Sequence, residues 1–156
     1  MKEHSYKVTI KWTGNRGTGT SDYRSYERSH IISGEHKGDI SGSSDIAFRG
    51  DSSGYNPEEL LVASVSGCHM LWFLHECAVN GVIVTGYTDN PVGIMVENQG
   101  AGGRFTEVVL HPHVTVADKI MLEKLALLHE NAHAKCFIAN SLNFPVKHNP
   151  TADFKR

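Results

Sequence analysis

Three cysteines, Cys68, Cys77 and Cys136, hold the thiol chemistry open to this 156-residue chain. Cys68 stands in the middle of the apolar run "NPEELLVASVSGCHMLWFLHECAVNG", beside Ser66 and Gly67, whose small side chains leave room for something to approach the sulfur. Cys77 lies nine residues on, roughly 180° around a helix of about 3.6 residues per turn, so the two thiols point to opposite faces and cannot pair locally. With Glu76 at its side, Cys77 reads as a small apolar filler, the usual role of a free cysteine. A reactive thiol must become a thiolate, and Cys68 gains little from a helix dipole that acts within the first turn. A cation has to come from elsewhere. Arg49, in "AFRGD" just upstream of the helix, is the nearest arginine in sequence, although taken alone it reads as a solvated surface residue.

Two acids open the same helix. Glu59 follows Asn56 by three positions, a capping box with Pro57 in the first turn. Glu58 precedes Cys68 by ten residues, about 15 Å along a straight helix, too far to meet it within one chain. Two copies crossing antiparallel about a two-fold axis near Ala63 would bring Glu58 of one beside Cys68 of the other. Ala63, Ser64, Ser66 and Gly67 are small enough to let the backbones approach.

A competing constellation is "HENAH", His129 to His133, which matches the H-E-x-x-H helix motif in which two histidines one turn apart bind zinc and the glutamate, here Glu130, acts as base. Such a site needs a third protein ligand, and the extended motif fails because Cys136 and Ala139 stand where Gly and His belong. The other reading of these residues is solvated helix histidines. His69, His75 and Cys77 spread around their helix, and His111 and His113 share a strand face as a surface pair would. Neither "GTGTSD" nor "GAGGRF" lies between a strand and a helix start, as a phosphate-cradling loop must.

The elements that position these groups follow from period and punctuation. Tyr6 to Trp12 alternates as a strand, and Tyr23 to Ile32 and Asp39 to Phe48 are weaker strand candidates. A helix runs from Asn56 to about Asn80, stopped at Gly81, with apolar residues around most of its circumference and hence burial expected on several sides. Val82 to Val96 and Phe105 to Val116 read as strands joined by a hairpin in "ENQGAGGR". Asp118 caps a second helix through Lys135, "CFIANSL" reads as a short helix, and "NFPVKH" as a last strand. With no repeat or linker, residues 1–156 read as one α+β domain, antiparallel sheets packed around a long buried central helix. Fifteen Lys and Arg against seventeen Asp and Glu leave no basic footprint for nucleic acid. The polar, alternating amino terminus has no signal-peptide core, and no run reads as long and apolar enough to span a bilayer, so no membrane partner and a cytoplasmic location are expected. An odd cysteine count argues against a secreted disulfide framework.

"NPEELLVASVSGCHMLWFL" together with "AKCFIANSL" resembles the OsmC/Ohr family (osmotically inducible protein C and organic hydroperoxide resistance), in its OsmC-like branch. The resemblance implies an intertwined homodimer and a thiol-dependent peroxidase that reduces organic hydroperoxides without a cofactor or metal, regenerated by a dithiol reductant such as a lipoylated protein. By position, Cys68 corresponds to the peroxidatic cysteine, Cys136 to the resolving cysteine that closes a disulfide with it, and Glu58 to the glutamate that holds the active-site arginine. That arginine is Arg16 or Arg49, and "FRG" ahead of "NPEEL" favours Arg49. The alternatives are a zinc-dependent hydrolase built on His129, Glu130 and His133, and a non-catalytic redox-sensing dimer.

Overall fold

The long helix starts where its capping box places it. In the computed structural model, which describes residues 2–98, 100 and 102–155, the Glu59 amide donates to Asn56 Oδ1 at 2.7 Å and the Asn56 amide donates back to Glu59 Oε2 at 3.0 Å. Helix α1 runs from Pro57 to Val79. It stops as Gly81 turns to φ 70° and the Val82 amide bonds the Cys77 carbonyl at 2.9 Å.

Contrary to the sequence expectation, α1, at 23 residues and with an 18-residue window of mean hydropathy 1.2, is long and apolar enough to cross a membrane. Its buried residues Val65, His69, Phe73, Glu76 and Cys77 recur at helical spacing, as on the core face of a packed helix. The single chain does not bury α1 on several sides: Ala63, Ser64 and His75 are exposed, and Leu71 and Val79 keep 65% and 64% of their surface.

The chain divides into two units, up to Leu60 and from Leu61 on. The first holds an antiparallel sheet of β1 (Thr9–Trp12), β2 (His30–Ser33) and β3 (Ile40–Gly42), followed by a single 3-10 turn, Ile46–Phe48. The second holds two three-stranded sheets. The stretches expected as two strands are four: β4 (Val84–Asp89), β5 (Val92–Asn98), β6 (Gly102–Leu110) and β7 (Pro112–Val116). Asn90-Pro91 and His111-Pro112 interrupt them, because proline has no N–H for a ladder. β4 pairs with β7 and β5 with β6, both antiparallel. The β5–β6 hairpin includes Gln99 and Ala101, which lie outside the described residues.

Helix α2 (Leu125–Lys135) follows a 3-10 segment, Lys119–Lys124, whose first turn Asp118 caps through the Ile120 amide at 3.0 Å. The "CFIANSL" helix is one 3-10 turn, Ala139–Ser141. After it β8 (Val146–His148) joins β6 and an unanticipated β9 (Thr151–Phe154) joins β7, both in parallel, so each sheet is mixed. The core of this unit has two apolar clusters. Phe73 and Cys77 of α1 meet Val114, Val116 and Leu128, and Val65 meets Val108 and Leu110. Contact between α1 and β5 requires Gly93, where a Cβ would stand 2.6 Å from Val62 Cγ2.

Replacing Asn56 with Ala removes the cap of α1 and is expected to lower the unfolding free energy by about 1 kcal/mol in urea denaturation followed by circular dichroism. An unchanged midpoint would mean the capping box contributes nothing to stability.

Candidate active site

Two of the three sulfurs come together. Cys68 lies on α1, half-buried, while Cys136 is the residue that ends α2, 1% exposed, its amide on the His133 carbonyl at 3.2 Å. Both are free thiols. Burial pushes the Cys136 thiol up to about 11. The Ala139 amide, 3.5 Å from its sulfur, opposes that shift, and the Cys68 thiol beside it adds to it. Cys77 is also pushed up to about 11, by burial and then by Glu76, and packs inside the apolar cluster of Phe73 and Val114.

The residues next to the two thiols join α1 to α2. His69 Nε2 lies 3.1 Å from His129 Nδ1, with ring planes 5° apart and centroids 5.4 Å apart, so the nitrogens face each other in line. One of them carries the proton and the other accepts it. Both rings are 1% exposed, and His129 stacks on Phe73 with centroids 3.9 Å apart. His148 of β8 lies 5.4 Å from His69 and 5.3 Å from His133, centroid to centroid, and its Nε2 is 3.6 Å from Glu130 Oε1. Among the described residues, the buried Nδ1 atoms of His69, His133 and His148 have no hydrogen-bond partner. Glu76, 4% exposed, accepts from Lys135 Nζ at 2.6 Å and Asn131 Nδ2 at 3.5 Å, and the Lys135 bond holds its carboxyl below the usual range.

The "HENAH" residues are therefore not a solvated helix face. His129 turns into the core toward His69, whereas the Glu130 side chain keeps 69% of its surface. Among the described residues, no group of three or more His, Cys, Asp or Glu side chains is arranged to hold a metal ion.

In the first unit, Arg16 and Arg49 line one cavity together with Arg24 and Arg28. Arg49 follows the Ile46–Phe48 turn with φ 64°, the left-handed region, held by its amide on the Ile46 carbonyl at 3.0 Å. Arg16 is paired with Glu27. Glu58 makes no ion pair within the chain among the described residues.

Residues 50–151 match the OsmC-like protein family model, and the chain belongs to that family. An OsmC-like protein of unknown function from Vibrio cholerae is 33% identical in sequence, the match covering 96% of this chain and 99% of that one, with a TM-score of 0.84. An organic hydroperoxide resistance protein from Elizabethkingia anophelis shares the fold at 17% identity, 99% and 100% coverage and a TM-score of 0.68. One from Legionella pneumophila does so at 17% identity, 97% and 99% coverage and a TM-score of 0.66. A search of curated proteins found no match.

The histidine cluster sets an acid limit. Burial, followed by the neighbouring His148 and His133, lowers His69 to about 4; burial, followed by His69 and His148, lowers His129 to about 3. Both are depressed below the ordinary value of 6.5. The fold therefore favours the neutral rings, and their contribution to stability, full above pH 6.5, declines as pH falls toward 4 and then 3. Thermal melting should show a steep loss across that window. His129→Leu, which cannot charge, should flatten it; an equally steep profile in that variant would remove the cluster as the cause.

Proposed function

We propose that this protein is a thiol-dependent peroxidase that reduces organic hydroperoxides to alcohols. The observation that carries this reading is the pairing of two free thiols of unequal character: Cys68 half-buried and reachable, and Cys136 buried and holding its proton. In the proposed cycle the Cys68 thiolate attacks the outer peroxide oxygen, the O–O bond breaks, and the alkoxide takes a proton and leaves as the alcohol. Cys68 becomes a sulfenic acid. Cys136 then gives up its proton as its sulfur attacks Cys68 Sγ, the hydroxyl leaves as water, and a disulfide closes. An external dithiol, such as a lipoylated protein, reduces it by exchange and is itself oxidised. No metal or cofactor takes part. The reducing cytoplasm is the compartment that would keep the resting thiols free.

Thiolate formation at Cys68 is assigned to a guanidinium, Arg49 by its sequence context or Arg16, oriented by Glu58. A homodimer in which two α1 helices cross is part of the reading. Ala63, Ser64 and Leu71 are exposed, and a Cβ added at Gly67 would meet nothing within 4 Å, so the helix surface beside Cys68 is open to a second backbone. The zinc hydrolase gains no support from a His129 whose Nδ1 is committed to His69.

Turnover of an organic hydroperoxide with dihydrolipoamide should be abolished in Cys68→Ser. In Cys136→Ser one equivalent should be consumed per thiol, leaving a sulfenic acid that a dimedone-type reagent traps. Undiminished turnover in Cys68→Ser would sink the peroxidase. Oxidation of wild-type Cys68 without repeated turnover would favour the redox sensor.

The crossing is tested by complementation. Glu58→Ala and Cys68→Ser homodimers should each be inactive, and heterodimers formed from the two should regain activity at one of their two sites. Heterodimers that stay inactive would exclude a site shared in this way.

A further inference from the structure

The first unit contains more positive charge than the arginine of a thiol site requires. Arg16, Arg24, Arg28 and Arg49 line one cavity of about 230 Å³ together with Glu27 and Asp51, four cations against two anions. The charges are not interchangeable. Arg16 is neutralised by Glu27. Arg28 is locked: its guanidinium lies over the rings of Tyr26 and Tyr23, at 4.1 and 4.5 Å from their centroids, and donates to the Tyr26 carbonyl at 2.7 Å and the Tyr23 carbonyl at 3.0 Å. Those contacts fix its orientation without cancelling its charge. Arg24 and Arg49 have no side-chain hydrogen bond or ion pair among the described residues, and Arg49 reaches only the Tyr23 ring, at 6.0 Å. Asp51 is occupied in part by the Ser53 amide at 2.8 Å. Ser43 Oγ accepts from the Asp51 amide at 2.9 Å and keeps its own proton to donate.

We propose that this cavity is a binding site for an oxyanion, the phosphate or carboxylate group of a small ligand. Guanidinium groups match the paired oxygens of both, and one pre-positioned arginine reduces the ordering that binding demands. The size selects a headgroup: the cavity is smaller than the roughly 300 Å³ at which pockets for whole drug-sized ligands begin. A concave cluster on a chain of net charge −2 also lacks the extended basic stripe a nucleic acid would need. The anion has two sources, a free ion or the headgroup of the hydroperoxide itself. The second rests on the peroxidase reading, under which Arg16 or Arg49 also serves the thiol.

Calorimetric titration of inorganic phosphate, and separately of butyrate, into the purified protein at low ionic strength tests the site. Wild type should bind both, Arg24→Glu should weaken both about tenfold or more, and Arg24→Lys should restore part of the loss, as one charge-assisted hydrogen bond predicts. Absence of binding in wild type, or equal affinity in Arg24→Glu, overturns the proposal. The source is read from a hydroperoxide with a terminal carboxylate compared with its methyl ester. If the headgroup occupies the cavity, Arg24→Glu should lower the acid-to-ester ratio of kcat/KM about tenfold. A constant ratio alongside Arg24-dependent phosphate binding supports the site and assigns it to a free anion. If neither hydroperoxide is turned over, the peroxidase reading fails, while phosphate binding that Arg24→Glu weakens still supports the anion site.

Discussion

The contact on which the rest of the second unit turns is the double tie between α1 and α2. His69 follows Cys68 directly and Lys135 precedes Cys136 directly, so the same two helices that present the thiols are held by the residues beside them. What enforces this register is less the strength of the two bonds than the penalty for losing either. Glu76 has little contact with water and would lose its cation if Lys135 moved away, and a buried imidazole left without its partner pays a desolvation penalty of its own. Sliding one helix along the other by a turn would incur both penalties at once. The sulfurs are thereby kept adjacent without any covalent link.

That arrangement explains which parts of the molecule could be read from its sequence. Local signals were legible: Asn56, Pro57 and Glu59 marked the start of α1, Gly81 its stop, and Asp118 the turn that leads into α2, because capping depends on neighbours a few residues apart. The break of one expected strand into β4 and β5 at Asn90-Pro91 was missed because the apolar period continues on both sides of it. β9 was missed because Thr151–Phe154 is short and mostly exposed. For the site, the candidates Cys68, Cys136, Arg16 and Arg49 were legible as residue types and through the resemblance, though not in the roles proposed for them. The His69–His129 bond was not, since its partners are 60 residues apart and neither carries a signal of the other. "HENAH" matches a metal-ligating motif by residue type and spacing alone. Its first histidine is instead part of the tie between the helices.

The exposed side of α1 follows from the same packing. Its apolar residues run around most of the helix, but the two clusters of the second unit take only the face of Val65, Phe73 and Cys77. Burying Leu71 or Val79 fully would each be worth roughly 1 to 2 kcal/mol, and the single chain leaves most of that unrealised. A surface of this kind, opening at Gly67 one residue from the half-buried thiol, is what a symmetric partner helix would cover. The proposed dimer and the proposed chemistry therefore draw on the same stretch of sequence.

The unequal burial of the two thiols also gives the proposed cycle a direction. A thiol pushed up to about 11 is almost wholly protonated near neutral pH, so Cys136 is a poor first nucleophile toward a peroxide dissolved in water. It becomes competent once Cys68 is a sulfenic acid, because the electrophile then lies within reach and no diffusional encounter is needed. Burial of Cys136 also shields it from the peroxide, so over-oxidation would fall first on Cys68, the sulfur that Cys136 is placed to rescue. Exchanging the two environments, with the exposed thiol at the end of α2 and the buried one on α1, would lose both advantages. The asymmetry comes from the fold. Cys136 ends a helix whose preceding turn is anchored in the core by Ala132, whereas Cys68 lies beside the open surface at Gly67.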